Sequence, residues 1–249
     1  MSSPAIEVHP GSQLAVAAAQ RLVEVLRQAV EKRGAAHLAF SGGSTPRALF
    51  RLLATEEWQA QAPWAHCHVW WVDERCVPPD HHESNFGVAY HLLLGRLPVQ
   101  HIHRIHAEME DREAAARQYE DELRHVFGLG KRGRPRFDLI MLGMGADGHT
   151  ASLFPGSPAL DERRALVTTA WAPNPPHHRL TLTLPVLNRA AEVIFLVSGP
   201  DKAPALAQIF AAQPSPPLLP AALVRPTRGR LRWLLDTPPI QFADKAMGA

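Results

Sequence analysis

Three short polar segments carry the residues whose types and spacing could do chemistry. In Asp147-Gly148-His149 a carboxylate stands two residues from an imidazole on a glycine-containing loop. Histidine titrates near neutrality and can take a proton from water, while a nearby carboxylate orients the ring and stabilises its charged form. One histidine among 14 is a weak signal by itself, and its place after an apolar run, beside Asp147, strengthens it. In Ser41-Gly42-Gly43-Ser44-Thr45-Pro46 two glycines let backbone N–H groups converge on an anion, and Ser44 and Thr45 add hydroxyl donors at the start of a helix. That suits a phosphate, the alternative being an ordinary strand-turn-helix with a Ser or Thr cap. Asp73-Glu74-Arg75 crowds two carboxylates and a guanidinium behind a tryptophan-rich run. Asp73 could position a hydroxylated substrate and Arg75 could stabilise a developing oxyanion, or the group could be a surface salt bridge at a strand end.

Several other chemistries are excluded by spacing. The Ser41–Thr45 loop lacks the G-x-x-x-x-G-K pattern of a Walker loop. Gly143, Gly145 and Gly148 satisfy G-x-G-x-x-G, but Pro155, Gly156 and Pro158 interrupt the long helix that a dinucleotide-binding loop must open. The acid expected at the end of the next strand is also missing there, since that strand ends Thr168-Thr169-Ala170. His101, His103 and His106 lack an H-E-x-x-H or cysteine set to complete a metal site and read as a solvated loop. His81-His82 and His177-His178 read as surface pairs, and no serine sits in a G-x-S-x-G elbow. Arg179 and Lys202, each at an element start, are either generic surface charges or cations that neutralise the anion cradled by Ser41–Thr45.

These loops need a scaffold, and helical periods alternating with short β-rich runs predict an α/β fold with a largely parallel sheet. Residues 14–32 carry an i, i+3, i+4 stripe from Ala15 to Ala29, with Gly34 as the stop. Strands are expected at 37–40, 67–72, 137–142, 166–170, 179–184, 192–197 and 231–235. Further helices are expected from Pro46 to about 54, from a Ser84 cap to 94, over 107–127 and near 201–210. Pro46 fits a first helical position, where its missing N–H costs nothing. Residues 214–220 read as a proline-rich surface loop, and the last residues are expected to fray. In an open parallel sheet the ligand sits beyond the carboxyl ends of the strands, where all three polar segments fall.

The chain has 249 residues, 46% of them apolar and 20% charged, enough for one buried core and unlike a disordered chain. A single α/β domain over 1–249 is expected. The longest clean apolar run, Val193 to Val197, is far short of the roughly 18 residues of a membrane span. Residues 1–10 lack the features of a secretory signal, and Cys67 and Cys76 form neither a disulfide framework nor a common zinc spacing, so a cytoplasmic protein with reduced thiols is expected. With 26 basic and 24 acidic residues, the balance is too even for extensive phosphate-backbone contacts with nucleic acid. A monomer is the default expectation.

Taken in order, Ser41–Pro46, Trp71-Val72-Asp73-Glu74-Arg75, Ser84-Asn85, Gly143 through Pro155 and Arg179-Leu180-Thr181-Leu182-Thr183 resemble the 6-phosphogluconolactonase family. The matches span about residues 40–205, and no single motif among them is decisive. The resemblance implies a three-layer, mostly parallel Rossmann-like sheet with helices on both faces, as in glucosamine-6-phosphate deaminases and ribose-5-phosphate isomerases, with a core over about 12–236. It also implies a cytoplasmic hydrolase of the oxidative pentose phosphate pathway that acts on a small sugar-phosphate lactone and uses no metal or organic cofactor. Deaminases of the same superfamily have tyrosine where this chain has Arg75, and asparagine-glutamate-proline where it has Leu153-Phe154-Pro155. Those positions favour the lactonase over a deaminase or isomerase; a non-catalytic sugar-phosphate sensor is the reading from another class. Residues and resemblance together give expected roles: Gly42, Gly43, Ser44, Thr45, Arg179 and Lys202 hold the 6-phosphate, Asp73 meets the substrate, His149 oriented by Asp147 is the general base, and Arg75 stabilises the oxyanion. Whether Asp73 and Glu74 touch substrate or only brace Arg75 is left open by the sequence.

Overall fold

The structure, a computed structural model, describes residues 4–211 and 217–236. Seven strands form one sheet: β1 (Ala5–Val8), β2 (Ala36–Phe40), β3 (Cys67–Trp71), β5 (His101–His103), β6 (Leu139–Leu142), β9 (Glu192–Val197) and β10 (Arg230–Leu235). Their order is β1-β10-β9-β6-β2-β3-β5, and every pairing is parallel. The remaining strands, β4 (Asp73–Arg75), β7 (Val167–Trp171) and β8 (His178–Leu182), make a small antiparallel sheet in the order β4-β8-β7. The helices are α1 (Gln13–Arg33), α2 (Pro46–Leu53), α3 (Glu56–Gln59), α4 (Asn85–Leu92), α5 (Arg112–Val126), α6 (Leu184–Leu187) and α7 (Ala203–Ile209). No helix among the described residues is long and apolar enough to cross a membrane.

Every residue of β6 and β9 is buried, so the centre of the parallel sheet is covered on both faces, as near-continuous apolar strands require. The predicted stripe of α1 packs on it through Leu22, Val25, Leu26 and their neighbours, each large side chain contributing roughly 1.5–3 kcal/mol relative to exposure. On α5, buried Tyr119 fixes the end of β3: its hydroxyl donates to Trp71 O at 2.9 Å and accepts from Trp71 N at 3.0 Å. One residue later the chain leaves the sheet. Val72 N still donates to Phe40 O (2.9 Å) in the parallel sheet, while Val72 O accepts from Leu182 N (2.7 Å) beside the antiparallel one. The small sheet is thereby hung from the carboxyl end of the large one.

Three expectations need correction, and one strand is additional to them. Asp73–Arg75 is a strand rather than a loop, because β8 supplies antiparallel partners that the charged triplet does not advertise. The strands expected near 166–170 and 179–184 form the separate antiparallel sheet rather than extending the parallel one. The additional strand is β1, whose residues are largely exposed and which is held by parallel pairing to β10. The segment 101–106 is not simply a solvated loop, since His101–His103 is the edge strand β5. The buried His103 ring stacks on Trp70 (centroids 3.8 Å apart) and is hydrogen-bonded to Glu122 (2.6 Å) and His68 (3.0 Å). Part of the proline-rich segment, 214–216, and the end expected to fray, 237–249, lie outside the described residues.

The pairing of β2, β3 and β5 lines up His37, His68 and His101, with rings 4.6 and 4.3 Å apart. Burial, with the neighbouring imidazoles and Arg33 adding to it, holds His37 down at about 3; burial and the His101 and His103 rings hold His68 at about 4. In the unfolded chain these rings titrate near 6.5. Above that pH both states are neutral and stability is intact; as pH falls below it the unfolded chain takes up protons that the fold refuses, so stability drops through the window down to about 4 and 3. Denaturant unfolding at pH 7.5 and pH 5 should show the loss. His68→Gln should reduce its steepness, and an unchanged slope in that variant would remove His68 as a cause.

Candidate active site

The three polar segments converge on one cleft beyond the carboxyl ends of β2, β3 and β6. It is lined by Ser41–Pro46, Asp73, Arg75, Asn85, Gly143–Gly145, His149–Ala151 and Lys202. Asp147 and His149 form a dyad, with His149 Nδ1 2.6 Å from Asp147 Oδ1. The same carboxylate oxygen accepts from His149 N at 3.1 Å, so backbone and ring are held together. With Nδ1–H donating to the carboxylate, Nε2 carries the free lone pair. The loop is closed on itself by Gly145 N to His149 O (2.9 Å) and by Thr150 Oγ1 to Gly143 O (2.8 Å). The second glycine of the motif has a steric purpose: a Cβ at Gly145 would lie 2.1 Å from His149 Nδ1 and 2.6 Å from Asp147 Oδ1. Gly42 is similarly required, since a Cβ there would come within 1.7 Å of Asn85 Oδ1.

On the opposite wall, β4 presents its residues alternately. Asp73 lines the cleft, and its Oδ2 accepts from Ser152 Oγ at 2.8 Å. Glu74 points away and is 2% exposed. It accepts from Arg75 N (2.8 Å), Asn85 N (2.7 Å), Phe86 N (2.8 Å) and Ser84 Oγ (3.1 Å). Burial lifts its carboxyl to about 7 against the pull of the three backbone N–H groups. Of the two carboxylates, Glu74 turns toward the start of α4 and the Arg75 backbone, and Asp73 faces the cleft. Arg75 returns to the cleft, with Nη1 donating to Glu83 O at 2.5 Å.

The expected anion-binding residues divide. Gly42, Gly43, Ser44 and Thr45 line the cleft, and Pro46 opens α2 as predicted. Thr45 makes no side-chain capping bond to α2, so the cap alternative does not account for its hydroxyl. Lys202 lines the cleft with its ammonium 2.6 Å from Asp201 Oδ2. Arg179 does not line it; the residue is buried on β8, directly opposite Arg75 in the register. Burial, together with the neighbouring Arg75, lowers the Arg179 guanidinium below its ordinary value. Sequence reasoning gave no role to Asn85 or Ser152. Asn85 Nδ2 donates to Asp73 O (2.9 Å), tying α4 to β4, and the Ser84-Asn85 pair was its only visible signal. Ser152 lies in the family-like Gly143–Pro155 segment, but its partner Asp73 is 79 positions away and nothing local pairs them.

Residues 10–233 match the family described as glucosamine-6-phosphate isomerases/6-phosphogluconolactonase. The chain belongs to this family. Among individual members, a 6-phosphogluconolactonase of Synechocystis sp. is 40% identical over 237 residues, covering 94% of this chain and 96% of the relative. A 6-phosphogluconolactonase of Nostoc sp. is 38% identical over 234 residues, 93% and 95% of the two chains. The solved structure of a 6-phosphogluconolactonase from Trypanosoma cruzi superposes with a TM-score of 0.87 at 29% identity, covering 97% of each chain. The α/β fold with its mostly parallel sheet is thus shared with solved members, and the dyad lies within the matched region of the glucosamine-6-phosphate isomerase/6-phosphogluconolactonase family.

Proposed function

We propose that the chain hydrolyses 6-phospho-D-glucono-1,5-lactone to 6-phospho-D-gluconate, with His149 as general base and Arg75 as oxyanion partner, and without a metal. The observation that carries the reading is the 2.6 Å Asp147–His149 dyad in a cleft that also holds Arg75 and the Ser41–Thr45 loop. Relatives covering nearly the whole chain bear the name of this activity. A phosphate dianion needs converging donors and cations, and the loop with Lys202 offers both. A lactone carbonyl needs a base for water and a cation for the oxygen that becomes charged.

The steps balance within these residues. Nε2 of His149 removes a proton from water as its oxygen adds to C1, Asp147 stabilises the resulting imidazolium, and Arg75 faces the oxyanion. The tetrahedral intermediate then collapses, the bond from C1 to the ring oxygen breaks, and that oxygen takes the proton back from His149. The product carboxylic acid ionises in solvent, and no electron acceptor or metal enters. The test is hydrolysis of freshly generated lactone, followed by a coupling dehydrogenase with a chelator present and the spontaneous rate subtracted. Acceleration over background that persists with chelator is the expected result. Its absence, with ammonia released from glucosamine 6-phosphate instead, would move the chain to the deaminase reaction.

Arg179→Ala should act mainly on KM, raising it while leaving kcat close to wild type, as for binding shared by ground and transition states. The support is its place directly across from Arg75 on β8, which puts its side chain on the same face of the small sheet as the cleft-lining Arg75. An unchanged KM would take Arg179 out of phosphate binding and leave that task to the loop and Lys202.

A further inference from the structure

We propose that His81, His82 and Glu83 form a binding site for a divalent transition-metal ion of the zinc type, outside the cleft, and that the bound ion holds Arg75 away from substrate. One donor atom from each of the three side chains lies within 4.8 Å of the others. Consecutive residues of an extended chain point to opposite sides, so the convergence needs a cause. Two successive turns supply it: His81 N donates to Pro78 O (3.0 Å) and Ser84 N to His81 O (2.9 Å). The segment is fastened at its far end by Ser84, whose hydroxyl accepts from Gly87 N (3.0 Å) and caps α4.

The donor set is two imidazoles and a carboxylate, the composition of three-ligand zinc sites that leave further positions to water. Imidazole favours zinc, copper and nickel over magnesium and calcium. His81 Nδ1 accepts from Glu83 N at 3.2 Å, so in the neutral ring this nitrogen carries a lone pair and faces the Glu83 backbone. An ion would replace this long hydrogen bond with a coordinate bond. Zinc at roughly 2.0–2.1 Å from each donor places neighbouring donors about 3.3 Å apart, within reach of small rotations of the exposed His82 ring. The adjoining groove carries Asp80 and His91, which favour a cation, and Arg47, which opposes it.

The same segment touches the active-site arginine. Glu83 would ligate through its side chain, and its backbone carbonyl already accepts from Arg75 Nη1 at 2.5 Å. Immobilising residues 81–83 fixes the acceptor and keeps the guanidinium on it, which lowers kcat; this consequence rests on the role proposed for Arg75. The binding itself does not depend on that role.

Zinc binding to the full chain is measured without substrate, by competition with a chromophoric chelator, in wild type, in His81→Ala/His82→Ala and in Glu83→Gln. Wild type should bind one equivalent that the double variant loses and Glu83→Gln weakens at least about tenfold. Glu83→Gln retains the carbonyl that receives Arg75, so its activity without zinc should match wild type. The same stoichiometry and affinity in the double variant would overturn the site, including the case in which zinc goes only to His149 and Asp147. Zinc should also inhibit wild type and spare the double variant. Binding at 81–83 with no inhibition would overturn the link to Arg75, and because binding is read without turnover, that outcome is distinct from a failure of the lactonase reading.

Discussion

His149→Ala should lower kcat by about 10²- to 10⁴-fold, the range for loss of a positioned general base, with KM nearly unchanged. The asymmetry follows from where the ring acts: Nε2 gains its proton only as water attacks, so the missing interaction belongs to the transition state. The imidazole contacts Asp147 at 2.6 Å and Phe154 at a ring separation of 4.4 Å, and it is partly exposed. Its removal leaves no buried partner unpaired, so the unfolding midpoint should stay close to wild type. The coupled dehydrogenase assay with a denaturation curve checks both halves. A variant with full kcat would remove His149 from the mechanism, whatever the family.

The second large effect is expected from a residue with no side chain. Gly145→Ala places a methyl group 2.1 Å from His149 Nδ1, and the ring must swing off Asp147 to admit it. The ring is partly exposed and can move, so the cost falls on the dyad more than on the fold. The prediction is a kcat loss of at least about 10²-fold, approaching that of His149→Ala, with a stability change of no more than about 1–3 kcal/mol. Gly143→Ala is the control within the same motif. Its methyl would meet only Gly42 O, at 3.9 Å, and should leave kcat nearly untouched. Equal losses in the two variants would mean that the loop, rather than the dyad, is what the methyl group disturbs.

That contrast shows how the site was and was not legible. Gly-x-Gly-x-x-Gly read as a dinucleotide fingerprint fails on its helix, yet the spacing is meaningful, because Gly145 makes room for an imidazole four residues on. Asp147 and His149 could be paired from sequence since they are two residues apart and share one loop. The Ser152–Asp73 bond joins residues 79 apart and depends on the two sheets meeting, which no local pattern states. The fold divides along the same line. α1, β6 and β9 carry their period or their apolar run within themselves. β4 is three charged residues, and β5 is histidine on either side of isoleucine; each becomes a strand only because a neighbour offers partners. Arg179 illustrates the limit for function, as a cation recognised by sequence whose register beside Arg75, one strand beyond the cleft lining, no local pattern states.

Glu74 binds the amide of its own neighbour Arg75, the cap residue of α4 and the first two amides of that helix through one pair of oxygens. Substitutions at Glu74 and Ser84 therefore remove the same side-chain bond, and their free-energy costs should not sum. Once Glu74 is replaced, losing the Ser84 hydroxyl has less left to lose, and a double-mutant cycle on the pair should return a coupling of about 0.5–3 kcal/mol. In evolutionary terms Glu74 and Ser84 behave as one character: a lineage that changes either alters the selective value of the other, and with it the footing of Arg75.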